Sequence, residues 1–382
     1  MIMNENLIIV IGTDRIGNYE TFAPIVNELQ DTCNYESFTI FQSKALLKKT
    51  SRNNILSHVF LNKNTSYISH GTLSLFHNAK LLLKIIFLVL RYKNVALLTN
   101  KSFISSISRL FKKLLKYLSV KTFYTKSFCR APTNNLRSIL GGKSKINSLD
   151  DLCDFALIPT LGHRIEYGLL GYKLNQFTVT GYPKFYPSWR QLVTRISHEK
   201  STVESEVLFV FTKNYSNLQK VINDVVNVTL SISGINRIVL KPHPTTPLSL
   251  IQEIINGIKI PSNKSVLISE DNTALLSYNT EVIISYATSA SYDAKVFGKY
   301  LINYYDADKD FIDKYRDSEL SDIPNFELFE SSVLSDFLSN CICYEKQHLK
   351  ESLLEYFADK EEYSNHKDEM TSDPSYLITN FL

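Results

Sequence analysis

Two short clusters in the second half of the chain carry residue types suited to handling a phosphate. The first is Lys241-Pro242-His243-Pro244, which closes the apolar run R-I-V-L-K. The second is Thr288-Ser289 with Asp293, directly after V-I-I-S-Y-A. A lysine and a positioned imidazole can meet the negative charge that grows on a departing phosphate. Hydroxyls that open a helix add free backbone N–H groups and the positive end of the helix dipole. Lys241, Thr288 and Ser289 are therefore candidate phosphate-binding residues, and His243 is the candidate acid. Plainer readings exist for each: His-Pro after a strand serves as a turn, and Ser-Thr pairs cap helices. Asp293 either binds a ribose or sugar hydroxyl or is a capping carboxylate. A base would come from the first half of the chain. Asp14, just after the first β-run, is the main candidate and Glu20 the second, with Gly12 and Arg15 in the same stretch. Their alternative role is a carboxylate near the positive end of a helix. His163 and His70 are weaker candidates, with loop positions as their plainer reading.

These residues need a scaffold that collects them from distant parts of the chain. Short β-rich runs alternate with helix-length segments throughout, which predicts an α/β fold with parallel sheets. Strands are expected at 7–12, 37–41, 57–61, 95–100, 120–124, 154–159, 177–183 and 207–212, then in the runs that start at Arg237, Val266, Val282 and Tyr300. Helices are expected at 80–91, 102–118 and 346–357. The strands fall into two series, one opening with L-I-I-V-I-G-T and the other with V-L-F-V-F-T. The polar stretch 196–206 separates them. This predicts an N-terminal Rossmann-like acceptor-side domain (1–195), a C-terminal Rossmann-like donor domain (206–345), and a C-terminal helix and tail (346–382). The aromatic and proline-rich stretch Tyr182–Trp189 is of a kind that can cross between domains and line a cleft. The loop after the first strand lacks G-x-G-x-x-G, which argues against a nicotinamide cofactor.

Composition excludes several classes. Hydrophobic residues make up 44% and charged residues 21%, as in ordinary globular chains. A net charge of +4 without a zinc pattern or recognition helix argues against nucleic acid as a partner. The five cysteines are scattered, and Cys341-x-Cys343 lacks a second pair, so no metal and no cofactor are expected. Asp306-Ala307-Asp308 reads as a loop near the donor sugar and not as a metal motif. The start has no basic segment before its apolar run, so a cytoplasmic protein is expected. The apolar segment 80–91 is too short to span a bilayer. With Lys112, Lys113 and Lys116 on the next helix, it allows peripheral contact with the inner face of a bacterial cytoplasmic membrane; the alternative is a buried helix and a solvated lysine face.

Several motifs resemble known families. G-T-D-R-I-G-N-Y-E-T-F-A-P, F-T-V-T-G-Y-P, K-P-H-P-T-T-P and G-K-Y-L-I-N-Y-Y-D resemble, in order, stretches of the non-hydrolysing UDP-N-acetylglucosamine 2-epimerases. That resemblance implies the GT-B architecture, two Rossmann-like domains facing across a cleft. The epimerase family carries acids after the strands matching V-A-L-L-T-N and V-K-T-F-Y. This chain has Thr99-Asn100-Lys101-Ser102 and Tyr124-Thr125-Lys126-Ser127 there. The K-P-H-P and T-S-x-x-x-D pair is similar to motifs of CDP-glycerol glycerophosphotransferases and of bacterial sialyl and Kdo transferases. By that resemblance the chain would be a metal-independent glycosyltransferase of surface polysaccharide (O-antigen or capsule). Its donor would be a CMP-linked sugar acid and its acceptor a glycan or lipid-linked glycan. Lys241, His243, Thr288, Ser289 and Asp293 would serve the donor. The alternative is a nucleotide-sugar enzyme of the 2-epimerase type.

Overall fold

The structure, a computed structural model, describes residues 5–12, 15–61, 65–67, 74–100, 106–125, 153–161, 164–165, 168, 174–199, 204–211, 217–286, 288, 291–305, 340–360, 363 and 374. The chain divides into two compact units, residues 1–192 with 371–382 and residues 193–370.

The first unit is built on a seven-stranded sheet. In chain order its strands are β1 (Asn6–Ile11), β2 (Tyr35–Phe41), β3 (Thr65–Tyr67), β4 (Asn94–Thr99), β5 (Lys121–Tyr124), β6 (Phe155–Ile158) and β7 (Phe177–Val179). Their spatial order is β3-β2-β1-β4-β5-β6-β7, and every pairing is parallel. β1 is Leu-Ile-Ile-Val-Ile because helices cover both faces of a parallel sheet, so no alternation with polar residues is needed. The described helices of this unit are α1 (Ile16–Cys33), α2 (Lys44–Arg52), α3 (Asn54–Phe60), α4 (Ser74–Arg91) and α5 (Ser106–Tyr117). α6 (Pro187–Glu199) runs across the boundary between the units.

One expected strand is a helix. Residues 57–61 lie in α3 and at its end, and the third strand is β3. S-H-V-F-L has strand-like composition, but Asn53 caps the preceding turn by accepting from the Leu56 N–H at 3.1 Å. Ile55, Leu56, Val59 and Phe60 then share one buried helical face. The aromatic stretch after β7 leads into α6. Phe185, Tyr186 and Trp189 are almost wholly buried, and the Tyr186 hydroxyl donates to the Thr180 carbonyl at 2.6 Å, so these rings are core.

The second unit repeats the plan with six parallel strands. They are β8 (Ser205–Phe211), β9 (Arg237–Lys241), β10 (Ser265–Ile268), β11 (Thr280–Tyr286), β12 (Tyr300–Tyr304) and β13 (Cys341–Cys343). The order is β10-β9-β8-β11-β12-β13. Its described helices are α7 (Leu218–Ser231), α8 (Leu248–Asn256), α9 (Thr273–Tyr278), α10 (Ser291–Val296) and α11 (Lys346–Ala358). Leu349 and Leu353 of α11 pack in one core with Val221, Ile222 and Val225 of α7, so the late helix is part of this unit. In each sheet the first strand lies inside the third, with later strands added on its other side, which is the doubly wound order.

Candidate functional site

In the second sheet the order in which strands are added reverses between β8 and β11. At such a switch point neighbouring loops part, and ligands of open parallel sheets bind beyond the carboxyl ends of the strands. The register places Lys241, Val210 and Ser285 in one row across β9, β8 and β11. The segments that follow Lys241 and Tyr286 therefore leave the same sheet edge, on either side of β8. His243 lies in the first segment and Thr288 in the second.

His243 is held by its own turn. The Thr245 N–H donates to Nδ1 at 3.2 Å, the Thr245 hydroxyl lies 2.8 Å from the same nitrogen, and the Thr246 N–H donates to the His243 carbonyl at 2.8 Å. A nitrogen that accepts from an amide carries no proton, so the neutral ring keeps its hydrogen on Nε2. The half-buried imidazole is thus prepared as a donor. Lys241 is turned inward instead. Its side chain is buried and its ammonium donates to the Glu270 carbonyl at 3.2 Å, tying the end of β9 to the segment after β10. Thr288 is half-buried, and its carbonyl accepts from the Ser285 hydroxyl at 3.5 Å. Asp293 is buried in the first turn of α10, a helix of six residues.

Asp14, Ser289, His163, His70, Asp306 and Asp308 lie outside the described residues. Their neighbours in the first unit are described. Arg15 is exposed at the start of α1, and Glu20 is half-buried on it. Gly12 has a steric role: a Cβ there would stand 2.9 Å from the Tyr19 ring. The Tyr19 hydroxyl accepts from the Gly12 N–H at 3.2 Å and donates to the Ile40 carbonyl at 3.0 Å. Its ring stacks on Phe41 at 4.8 Å. At the ends of β4 and β5 the Thr99 hydroxyl donates to the Ile11 carbonyl at 2.8 Å, and Thr125 is wholly buried. These two positions hold hydroxyls and no carboxylate.

Sequence reasoning missed Tyr19, whose periodicity marks only a core residue. It also missed Glu28, buried in α1 and hydrogen-bonded by Ser188 from α6. Burial pushes the Glu28 carboxyl up despite that bond. The available signal was position, since Glu28 follows Ile25 by three residues and borders the apolar face. Among the described residues, one group has the donor spacing for a metal ion: Cys341, Cys343 and His348. The Cys341 sulfur lies 3.7 Å from that of Cys343 and 3.9 Å from His348 Nε2, and Ser352 Oγ is 3.1 Å away. A hydrogen bond from Cys343 is the main cause that lowers the Cys341 thiol to about 6. The pair sits on the edge strand β13, two strands from β11. A cavity of about 730 Å³ is lined by Glu204, Arg237, Lys264 and Lys299, at the amino ends of the second sheet's strands. In a βαβ arrangement helix C-termini point to that edge, which disfavours a phosphate.

No family model and no curated protein matches the sequence. Solved structures do match the fold. The UDP-GlcNAc 2-epimerase from Neisseria meningitidis, bound to UDP-GlcNAc, is similar with a TM-score of 0.57 at 13% identity, over 98% of this chain and 99% of that one. The S. aureus MnaA–UDP co-structure gives 0.56 at 12% identity over 99% and 98%. Phytolacca americana UGT2, complexed with UDP-2-fluoro-glucose and pterostilbene, gives 0.53 at 12% over 97% and 93%. The chain therefore has the two-Rossmann architecture of the 2-epimerases, which is the GT-B plan expected from its motifs.

Proposed function

We propose that this chain is an enzyme acting on a nucleotide-activated sugar, with the nucleotide phosphates bound at the carboxyl edge of the second sheet. The observation that carries the reading is that the segments holding His243 and Thr288 leave one sheet edge, on either side of β8, where the strand order reverses. Three proteins of the same fold were solved with UDP or a UDP-sugar, which favours uridine over the cytidine donor suggested by sequence motifs.

Several of the similar solved structures are UDP-GlcNAc 2-epimerases, which favours the epimerase alternative, whereas the residues of this chain favour transfer. Epimerisation by elimination moves a proton at a sugar carbon and needs carboxylates at the reacting centre. The ends of β4 and β5 offer Thr99 and Thr125. In a transfer, an acceptor hydroxyl attacks the anomeric carbon as the bond to the phosphate oxygen breaks and UDP leaves. Asp14 takes the hydroxyl proton. His243 donates a hydrogen bond from Nε2 to the departing phosphate, and Thr288 and Ser289 bind its oxygens. Lys241 adds positive charge from behind the turn, and Asp293 orients the loop or the sugar. The acceptor is a glycan, free or lipid-linked, of a surface polysaccharide.

Thermal stabilisation by UDP, CMP, CDP and GDP tests the proposal on wild type and His243→Ala. A nucleotide at 100 times its dissociation constant adds about 2.7 kcal/mol. A UDP shift that shrinks in the variant supports the proposal. A shift with cytidine nucleotides alone restores the CMP- or CDP-linked donor. No shift with any of the four contradicts it.

A further inference from the structure

The net charge of +4 conceals a strong segregation. The 113 residues from Ser37 to Leu149 contain 20 Lys and Arg and no Asp or Glu, while the rest of the chain holds 22 basic and 38 acidic residues. α4 and α5 both lie in this acid-free stretch, and both contribute to one core against the first sheet. α4 faces that core with Leu81, Ile85, Leu88 and Val89. Its opposite side is also apolar: Leu83 is 67% exposed, Phe87 61% and Leu90 67%, with Leu82 beside them. The spacing of Leu83, Phe87 and Leu90 puts them on one outward stripe. Lys80, Lys84 and Arg91 are exposed along one border of it by the same spacing. Lys113 and Lys116 are exposed on α5, whose last residue, Tyr117, is 86% exposed.

We infer that the outward stripe of α4, with the cations of α4 and α5 around it, docks this protein on a bilayer surface rich in anionic lipid. Apolar side chains on a helix that lies in the interface enter the acyl boundary, while flanking Lys and Arg meet lipid phosphates. No helix among the described residues is long and apolar enough to cross a membrane, so the contact is peripheral. A second copy of the chain is a poorer occupant. Pairing this face with itself would set cations against cations with no carboxylate from the same stretch to offset them. The inference stands independently of the nucleotide reading, because every residue it uses lies in the first unit.

Co-sedimentation of the full chain with vesicles tests it. Phosphatidylcholine vesicles with phosphatidylglycerol should pellet the protein, pure phosphatidylcholine should not, and added salt should release it. Leu83→Ser, Phe87→Ser and Leu90→Ser combined should weaken partitioning at least about tenfold. Each of Lys80→Gln, Arg91→Gln, Lys113→Gln and Lys116→Gln should weaken it about fivefold. All of these positions are on the surface, so the circular dichroism spectrum and any nucleotide-induced shift should be unchanged. Phe87→Trp should be quenched by brominated acyl chains, whereas the native Trp189 is buried. Three results would overturn the inference: no pelleting, pelleting that ignores lipid charge and all these substitutions, or a solution dimer that the triple serine variant converts to monomer.

Discussion

The two units share a strand order and differ in what they place at the carboxyl edge of the sheet. In the first unit the described residues at this edge pack on one another. The Tyr19 ring fills the space that a Cβ on Gly12 would need, its hydroxyl bridges β1 and β2, and Thr99 bonds back to Ile11. In the second unit the corresponding edge presents a half-buried histidine on a self-bonded turn and a threonine at the next loop. The same strand order thus carries packed, mutually bonded side chains among the described residues of the first edge, and a histidine and a threonine on separate loops at the second.

Substitutions should separate the two edges. Tyr19→Ala is expected to have the largest effect on stability, about 3–5 kcal/mol, because it empties a wholly buried ring site. Denaturant unfolding measures it, and a loss below about 1 kcal/mol would deny the first edge its structural role. His243→Ala should do the reverse. Turnover of the sugar nucleotide should fall about 10²–10⁴-fold, while stability changes by less than about 1 kcal/mol. An unfolded His243→Ala protein would erase the contrast. Gly12→Ala comes next, at about 1–3 kcal/mol, since the Tyr19 ring must shift to admit the methyl group.

The smallest expected effect is a pH dependence inside the first unit. Burial raises the Glu28 carboxyl, so the folded protein holds this proton more tightly than the unfolded chain does. The unfavourable contribution of Glu28 is therefore absent below the ordinary carboxylate range. It grows as pH rises through the raised value and is constant above it. Glu28→Gln should gain melting temperature relative to wild type as pH climbs from 4 to 7. A gain that shrinks over that range would reverse the sign and refute the assignment.

The sequence carried the parallel strands well, because runs such as L-I-I-V-I and R-I-V-L-K end at small or polar residues and are buried from both faces. It also placed His243 and Thr288, since both follow strand ends directly. It failed where one capping side chain outweighed composition, as Asn53 does in turning S-H-V-F-L into a helix. It was silent on contacts between distant residues. Nothing in the sequence pairs Glu28 with Ser188, or brings His348 and Ser352 up to Cys341. Lys241 shows a subtler gap: its position at a strand end was legible, but its turn towards the Glu270 carbonyl was not.

Whether the nucleotide binds at the carboxyl edge of the second sheet is decided by a crystal structure with UDP. The diphosphate is expected beside the turn at His243 and the loop at Thr288, at the reversal between β8 and β11. A diphosphate at the amino edge of that sheet, in the cavity lined by Arg237 and Lys299, or on the first unit alone would contradict it.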